Sequence, residues 1–352
     1  MSAMKAKLIL ILFFSTLFAS ATVITVDNNG NAPSGVYTSL STAIGDATAG
    51  DTLLIIPSSS TYGNINITKE LTLIGVGFNP DMEIPFTSMV GNITIQTAAS
   101  GTKIIGLEVT GALTLGNTTG SLTNIVIENN RINYITHSGI NSLTNVLIRQ
   151  NVIQVASTFT PTITLNVTNQ ANIIVSNNIF SALSNSVNYR GPYVLSGGVT
   201  FDHNVHLGGS SMFAYYQLVN CLATNNIYVT LSPRSQQNST NVFYKNNLSN
   251  SFAFSSITGT NISLDSNIDT TDPTFVNLPL NTITYNYTLD PNLSGGSAGE
   301  NAGTDGTNLG VDGGTSPFKL SGSVLPVVRR FDLPSNIVEG TDANASIEVT
   351  GN

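Results

Sequence analysis

Cysteine, tryptophan, histidine and charge are what this chain of 352 residues has least of: one cysteine, no tryptophan, three histidines and 9% charged side chains. Cys221 has no partner for an internal disulfide, so stability must come from a packed core and backbone ladders. Its neighbours in the pattern below are valines and isoleucines, and it reads as a small buried hydrophobe. Without tryptophan the best stacking surface for a sugar ring is missing. His203 and His206 are the closest histidine pair, too small a set for a zinc site.

Long apolar runs are as scarce. The single one, Leu8 to Phe18, is broken only by Ser15 and Thr16, follows Lys5 and Lys7, and precedes the small residues "ASA" at 19–21. Eleven residues are too few to span a bilayer, which takes roughly 20. Residues 1–21 therefore read as a signal peptide cleaved near Ala21. The expected product is a soluble chain, secreted or at the cell surface, with no membrane insertion. Without the leader, ten basic residues face twenty acidic ones, a net charge of −10. That excludes nucleic acid and anionic membranes as natural partners, since both require clustered Lys and Arg.

What the chain has is asparagine in phase. Anchors stand at Asn130, Asn151, Asn178, Asn204, Asn226, Asn247 and Asn267, spaced by 21, 27, 26, 22, 21 and 20 residues. Five positions before each come Ile125, Val146, Ile173, Val199, Cys221, Val242 and Ile262; three before come Ile127, Ile148, Val175, Phe201, Ala223, Tyr244 and Leu264. Two before come polar residues, among them Glu128, Arg149, Asp202, Lys245 and Asp265, so each unit holds a half-buried strand of period two. Six before stand asparagines again, with Gly198 as the exception. A unit of this length cannot bury an apolar face alone, but stacked copies can. The expected fold is all-β: a right-handed parallel β-helix of about ten coils, with the anchor amides bonding vertically as a ladder. Asparagine also tolerates the left-handed backbone of a tight corner.

Both ends of such a stack need covering. Leu40, Ala43, Ile44 and Ala47 share one face of a short helix expected over residues 37–49, a cap for the first coil. Residues 22–320 then form the β-helix domain, and 321–352, with one alternating run at 345–349, a tail that could dock as a cap strand. The order "YTSLSTAI", "AGDTLLI", Tyr62 and "INITKELTLIGVG" resembles the opening of parallel β-helix proteins of the pectin-lyase-like type. "DPTFVNLP" and the Gly/Asp-rich segment 287–314 resemble the closing of secreted bacterial members. The resemblance implies fold and export. It leaves function open, because the fold carries lyases, hydrolases, esterases and adhesins.

Chemistry is sparse. Paired carboxylates on adjacent coils, the requirement for acid/base cleavage of a glycan, do not occur in the outward column. Arg149 above Glu128 reads as a surface pair. The units ending at Asn178 and Asn204 carry extra residues expected to emerge as loops. Tyr189, Arg190, Tyr193, Asp202, His206, Tyr215 and Tyr216 are the candidate ligand-binding residues there, with Arg190 facing a carboxylate. His203, in the column of Asn129, Gln150, Asn177, Asn225 and Asn246, reads as a ladder substitute. Asp305 and Asp312 are candidate oxygen ligands for calcium, the one cofactor considered. The reading that results is a structural or carbohydrate-binding protein, expected to be monomeric, whose partner is a polysaccharide or surface glycan. The alternatives are a polysaccharide lyase or glycoside hydrolase acting near residues 189–217, and a self-assembling fibre.

Overall fold

Each unit bends twice, and the two flanking columns do the bending. Backbone φ lies between 51° and 59° at Asn124, Asn145, Asn172, Asn220, Asn241 and Asn261, and at 71° in Gly198. It lies between 51° and 58° at Asn129, Gln150, Asn177, His203, Asn225, Asn246 and Ser266. Left-handed backbone is costly for most residues and least so for Gly and Asn. Four extended residues sit between each pair of corners, which explains the short strand of the repeat.

The computed structural model describes residues 21–78, 86–185, 190–208, 215–229 and 239–320, and the backbone of strands Val327–Asp332 and Ser346–Thr350. Stacked corners produce a parallel β-solenoid of about nine turns, close to the number expected. One sheet runs from Val23–Val26 through Thr52–Ile55 to Gly259–Asp265. Its register places Ile125, Val146, Ile173, Val199, Cys221, Val242 and Ile262 directly above one another. A second sheet runs from Ile65–Ile67 to Leu248–Ser249. The inward columns of both fill one core, in which burial pushes the Cys221 thiol up to about 12.

The anchor asparagines are the internal ladder. Asn130 donates through Nδ2 to Asn151 Oδ1 at 3.0 Å, and the bond repeats through Asn178, Asn204, Asn226, Asn247 and Asn267 at 2.9–3.0 Å. Each Oδ1 also accepts the backbone N–H of the preceding anchor, as Asn226 does from Asn204 at 2.9 Å. Each Nδ2 also donates to a strand carbonyl of the coil before, as Asn226 does to Phe201 at 3.0 Å. These paired backbone contacts fix which end of each amide is oxygen. The corner asparagines add a second, exposed ladder, for example Asn172 to Asn145 at 2.8 Å and Asn241 to Asn220 at 2.8 Å.

The cap is shorter than expected. The helix is Leu40–Asp46 rather than residues 37–49, because Ser39 caps it by accepting the Thr42 N–H at 3.3 Å. Leu40, Ala43, Ile44 and Ala47 are buried as their spacing requires. Beside it, the buried Asp51 carboxylate accepts the backbone N–H of Thr22 at 2.8 Å and of Thr48 at 2.7 Å, with both hydroxyls added. Those bonds, backbone first, outweigh burial and hold its pKa down to about 2.

The closing residues cover the second sheet. Val152, Ile179, Val205, Ile227 and Leu248 point outward from it, yet all are buried beneath Phe275, Leu278, Leu309, Val311 and Phe318. The segment runs back up the stack, hooked by the second corner column. Asn246 donates to the Ala302 carbonyl at 2.8 Å, Asn225 to Thr304 Oγ1 at 3.0 Å, and Asn177 to the Gly313 carbonyl at 2.9 Å. Gln150 donates to the Ser316 carbonyl at 3.2 Å. His203 fits this row of hooks, with Nε2 3.3 Å from Thr307 Oγ1; the column shares a backbone conformation but is not a ladder of its own. The two tail strands pair antiparallel with each other.

Replacing Asn226 by alanine strands the Asn204 N–H and the Phe201 carbonyl inside the wall, each worth about 1–3 kcal/mol unpaired. Chemical denaturation should show a loss of about 3 kcal/mol. Asn241→Gly, on the exposed ladder and mirroring native Gly198, should cost under about 1 kcal/mol. Equal losses would remove the distinction between the two ladders.

Candidate functional site: the widened coils

The extra residues of the two long units build a third wall as well as loops. Thr164–Leu165 pairs with Tyr193–Val194, which pairs with Gln217 and Leu218 at the start of the next first-sheet strand. Just before these short strands, Arg190 is pinned by its backbone: its N–H donates to Thr160 at 3.1 Å and its carbonyl accepts from Thr162 at 2.9 Å. Successive insertions thus lie one above the other, as the coils do, and bring side chains from three turns together.

Three of the expected residues meet on this wall. The Arg190 guanidinium carbon lies 4.1 Å from the centre of the Tyr216 ring, and Tyr193 meets Tyr216 edge-on at 5.2 Å. A fourth member was not anticipated from the sequence. Phe159 stands 5.3 Å from the same guanidinium, is 59% exposed, and has left-handed backbone with φ of 63°. Its signal was available: it is the lone aromatic of the first widened unit, in "STFTP". Arg190 therefore has aromatic rings for neighbours on two turns, and its buried Nε finds no hydrogen-bond partner. Tyr189 lies outside the described residues.

Two of the expected residues belong elsewhere. His206 and Tyr215 are fully buried and cannot form part of a binding wall. His206 sits in the strand Val205–Leu207, where alternation turns it inward while Val205 and Leu207 point out. Its ring stacks between Phe180 at 4.5 Å and Tyr228 at 5.0 Å, its register partners above and below. Tyr215 wedges against this stack, its hydroxyl 2.9 Å from that of Tyr228. Neither ring nitrogen of His206 has a partner, and burial lowers its pKa to about 3.

Asp202 lies on the outer face of the first sheet. Burial works to raise its pKa, but the adjacent His203 ring and the bonds from Thr224 and Asn225 outweigh it and the net shift is downward. The His203 Nδ1 is 3.0 Å from the Asp202 carboxylate but out of hydrogen-bond alignment. The face beside it carries an outward stripe, Val126, Leu147, Ile174, Thr200, Leu222 and Phe243, in register. Shallow open grooves of about 470 and 600 Å³ lie over this stripe, edged by the corner asparagines. The strand Gln217–Thr224 joins stripe and aromatic wall, bending between them at Asn220.

Glu128 pairs with Arg149 at 3.0 Å and Lys245 with Asp265 at 3.1 Å, and Asp202 is held by Thr224 and Asn225 at 2.8 Å each. The calcium candidates do not converge: Asp305 accepts from the Thr307 N–H and hydroxyl, Asp312 from the Leu293 N–H and Asn308. Among the described residues no three His, Cys, Asp or Glu side chains group closely enough to hold an ion. No helix among them is long and apolar enough to cross a membrane. Comparison with protein families and with curated proteins returns no match.

His206 yields a pH test. Its folded pKa, about 3, lies below the ordinary histidine value of about 6.5, so only the unfolded chain binds the proton between those limits. Stability should therefore fall as pH drops from 6.5 towards 3, by about 2 kcal/mol between pH 7 and 4.5. Asp51 contributes only below its ordinary value of 3.8, outside the range from pH 7 to 4.5, whereas His137, whose pKa burial also lowers, adds to the slope there. His206→Phe, which keeps the stack, should flatten the slope in urea titrations at the two pH values; an unchanged slope would show that another group carries it.

Proposed function

We propose that this chain is an exported β-solenoid that binds a linear glycan along its side, with the Phe159, Arg190, Tyr193 and Tyr216 wall as the anchor. The observation that carries this reading is the Arg190 guanidinium, set against two aromatic rings with an unpartnered nitrogen. A guanidinium so placed has its faces and Nε covered and presents its two terminal nitrogens, which suits a carboxylate or two neighbouring hydroxyls. The exposed Phe159 ring and the half-buried Tyr193 and Tyr216 offer the apolar face of a sugar a surface, and the corner amides of the adjoining face offer it hydrogen bonds. The net charge of −10 disfavours densely charged polyanions, so a neutral or sparsely acidic chain fits best. Export rests on the leader, and the resemblance to secreted pectin-lyase-like proteins is consistent with both.

Affinity electrophoresis against acidic and neutral glycans should show retardation by at least one, reduced about tenfold or more by Arg190→Ala and by Phe159→Ala. Retardation indifferent to both changes would remove the wall as the site. The same incubations, assayed for reducing ends and unsaturated products, test the catalytic alternative: product formation abolished by Arg190→Ala would replace binding by lyase or hydrolase action.

A further inference from the structure

Asp51 is a buried carboxylate without a cation. It is 2% exposed, and among the described residues no Lys, Arg or His stands within ion-pairing distance. Lys69, from the following coil, ties its ammonium to the Gly45 and Ala47 carbonyls instead. Four neutral donors, all from Thr22 and Thr48, surround the carboxylate. Neutral donors already hold this charge, and a cation beside it would add the pairing that charges removed from water ordinarily have.

One of those donors is the backbone nitrogen of Thr22, at 2.8 Å. The sequence places the end of the leader at Ala21, on grounds independent of this contact. We propose that the Ala21–Thr22 peptide bond is the processing site, and that the α-ammonium released on Thr22 is received by Asp51 as its missing countercharge. The proposal rests on reading the chain as exported. In the step, water adds across the bond between the Ala21 carbonyl carbon and the Thr22 nitrogen. Ala21 leaves as a carboxylate with the leader, Thr22 keeps the nitrogen as an ammonium, and no oxidant or reductant is needed.

The local geometry selects this bond over its neighbours. Ala21 and Thr22 are exposed, whereas the paired strand begins at Val23, opposite Thr52. The Thr22 carbonyl accepts the Thr52 N–H at 2.8 Å, so Thr22 is already fixed in place. Cleavage one residue later would delete that bond and both Thr22 contacts to Asp51. Cleavage one residue earlier would leave a neutral amide at the carboxylate. Only a chain that starts at Thr22 puts a positive nitrogen there, with its remaining protons open to solvent.

The test has two arms. Full-length chain exported with its own leader is purified and its N-terminal residue determined by mass spectrometry; Thr22 is expected. Separately, chains starting at Thr22 and at Ala21 are released from a removable tag and melted, each with and without Asp51→Asn. The Thr22 chain should melt about 2 °C or more above the Ala21 chain, and the gap should vanish in Asp51→Asn. Acetylating the Thr22 amine should lower its melting temperature to that of the Ala21 chain. Equal melting temperatures would overturn the countercharge while leaving export untouched. A mature chain starting elsewhere would overturn the processing site, and a retained leader would overturn the export reading with it.

Discussion

The amide column inside the wall is the constraint on which the rest depends. Every anchor asparagine after Asn130 answers a backbone N–H and a side-chain amide of one neighbouring coil and a carbonyl of that same neighbour, so none of its polar atoms is idle. This explains a tolerance in the repeat. Units vary from 20 to 27 residues, yet the amide returns to the same line each time. Length is absorbed elsewhere, in loops and in the short third wall, and the stack stays in register because the anchor cannot move without stranding buried groups.

Residues with a period were legible in the sequence. The inward columns, the corners and the cap face could all be counted off, and register pairs them as counted. Failures occurred where a residue's neighbours in space are not at the repeat distance. His206 follows directly on the widened units and so reads as a member of a ligand-binding wall, although it sits in a strand whose alternation turns it inward. The corner column containing His203 looked like a ladder because its members are amides. Its partners, residues 302–316, lie in a Gly/Asp-rich stretch with no period of its own. Phe159 was missed for a related reason, since only the stacking of two insertions shows that it meets Arg190.

The three sides of the solenoid have different surroundings. The second sheet is buried on both faces from Val152–Val155 onward, inward by the core and outward by the closing segment. The first sheet leaves its outward stripe in contact with solvent, with Ile174 and Phe243 exposed. Among the described residues the third side is built of paired strands where units are widened, and there the aromatic wall forms. The surface proposed to face a ligand therefore lies where the repeat departs from itself, while the regular coils supply the frame that holds it.

The row of corner side chains gripping the closing segment has a consequence for assembly. A stack of near-identical plates is prone to one error above others, a plate seated one rung too high, because each offers its neighbour much the same surface. Gln150, Asn177, His203, Asn225 and Asn246 are of three kinds, with Gln150 and His203 unlike the three asparagines, and each grips a different stretch between Ala302 and Ser316. A slipped plate would present the wrong tooth to that strip. The segment thus acts as a key cut to one sequence of teeth, closing only over a stack assembled in the correct order.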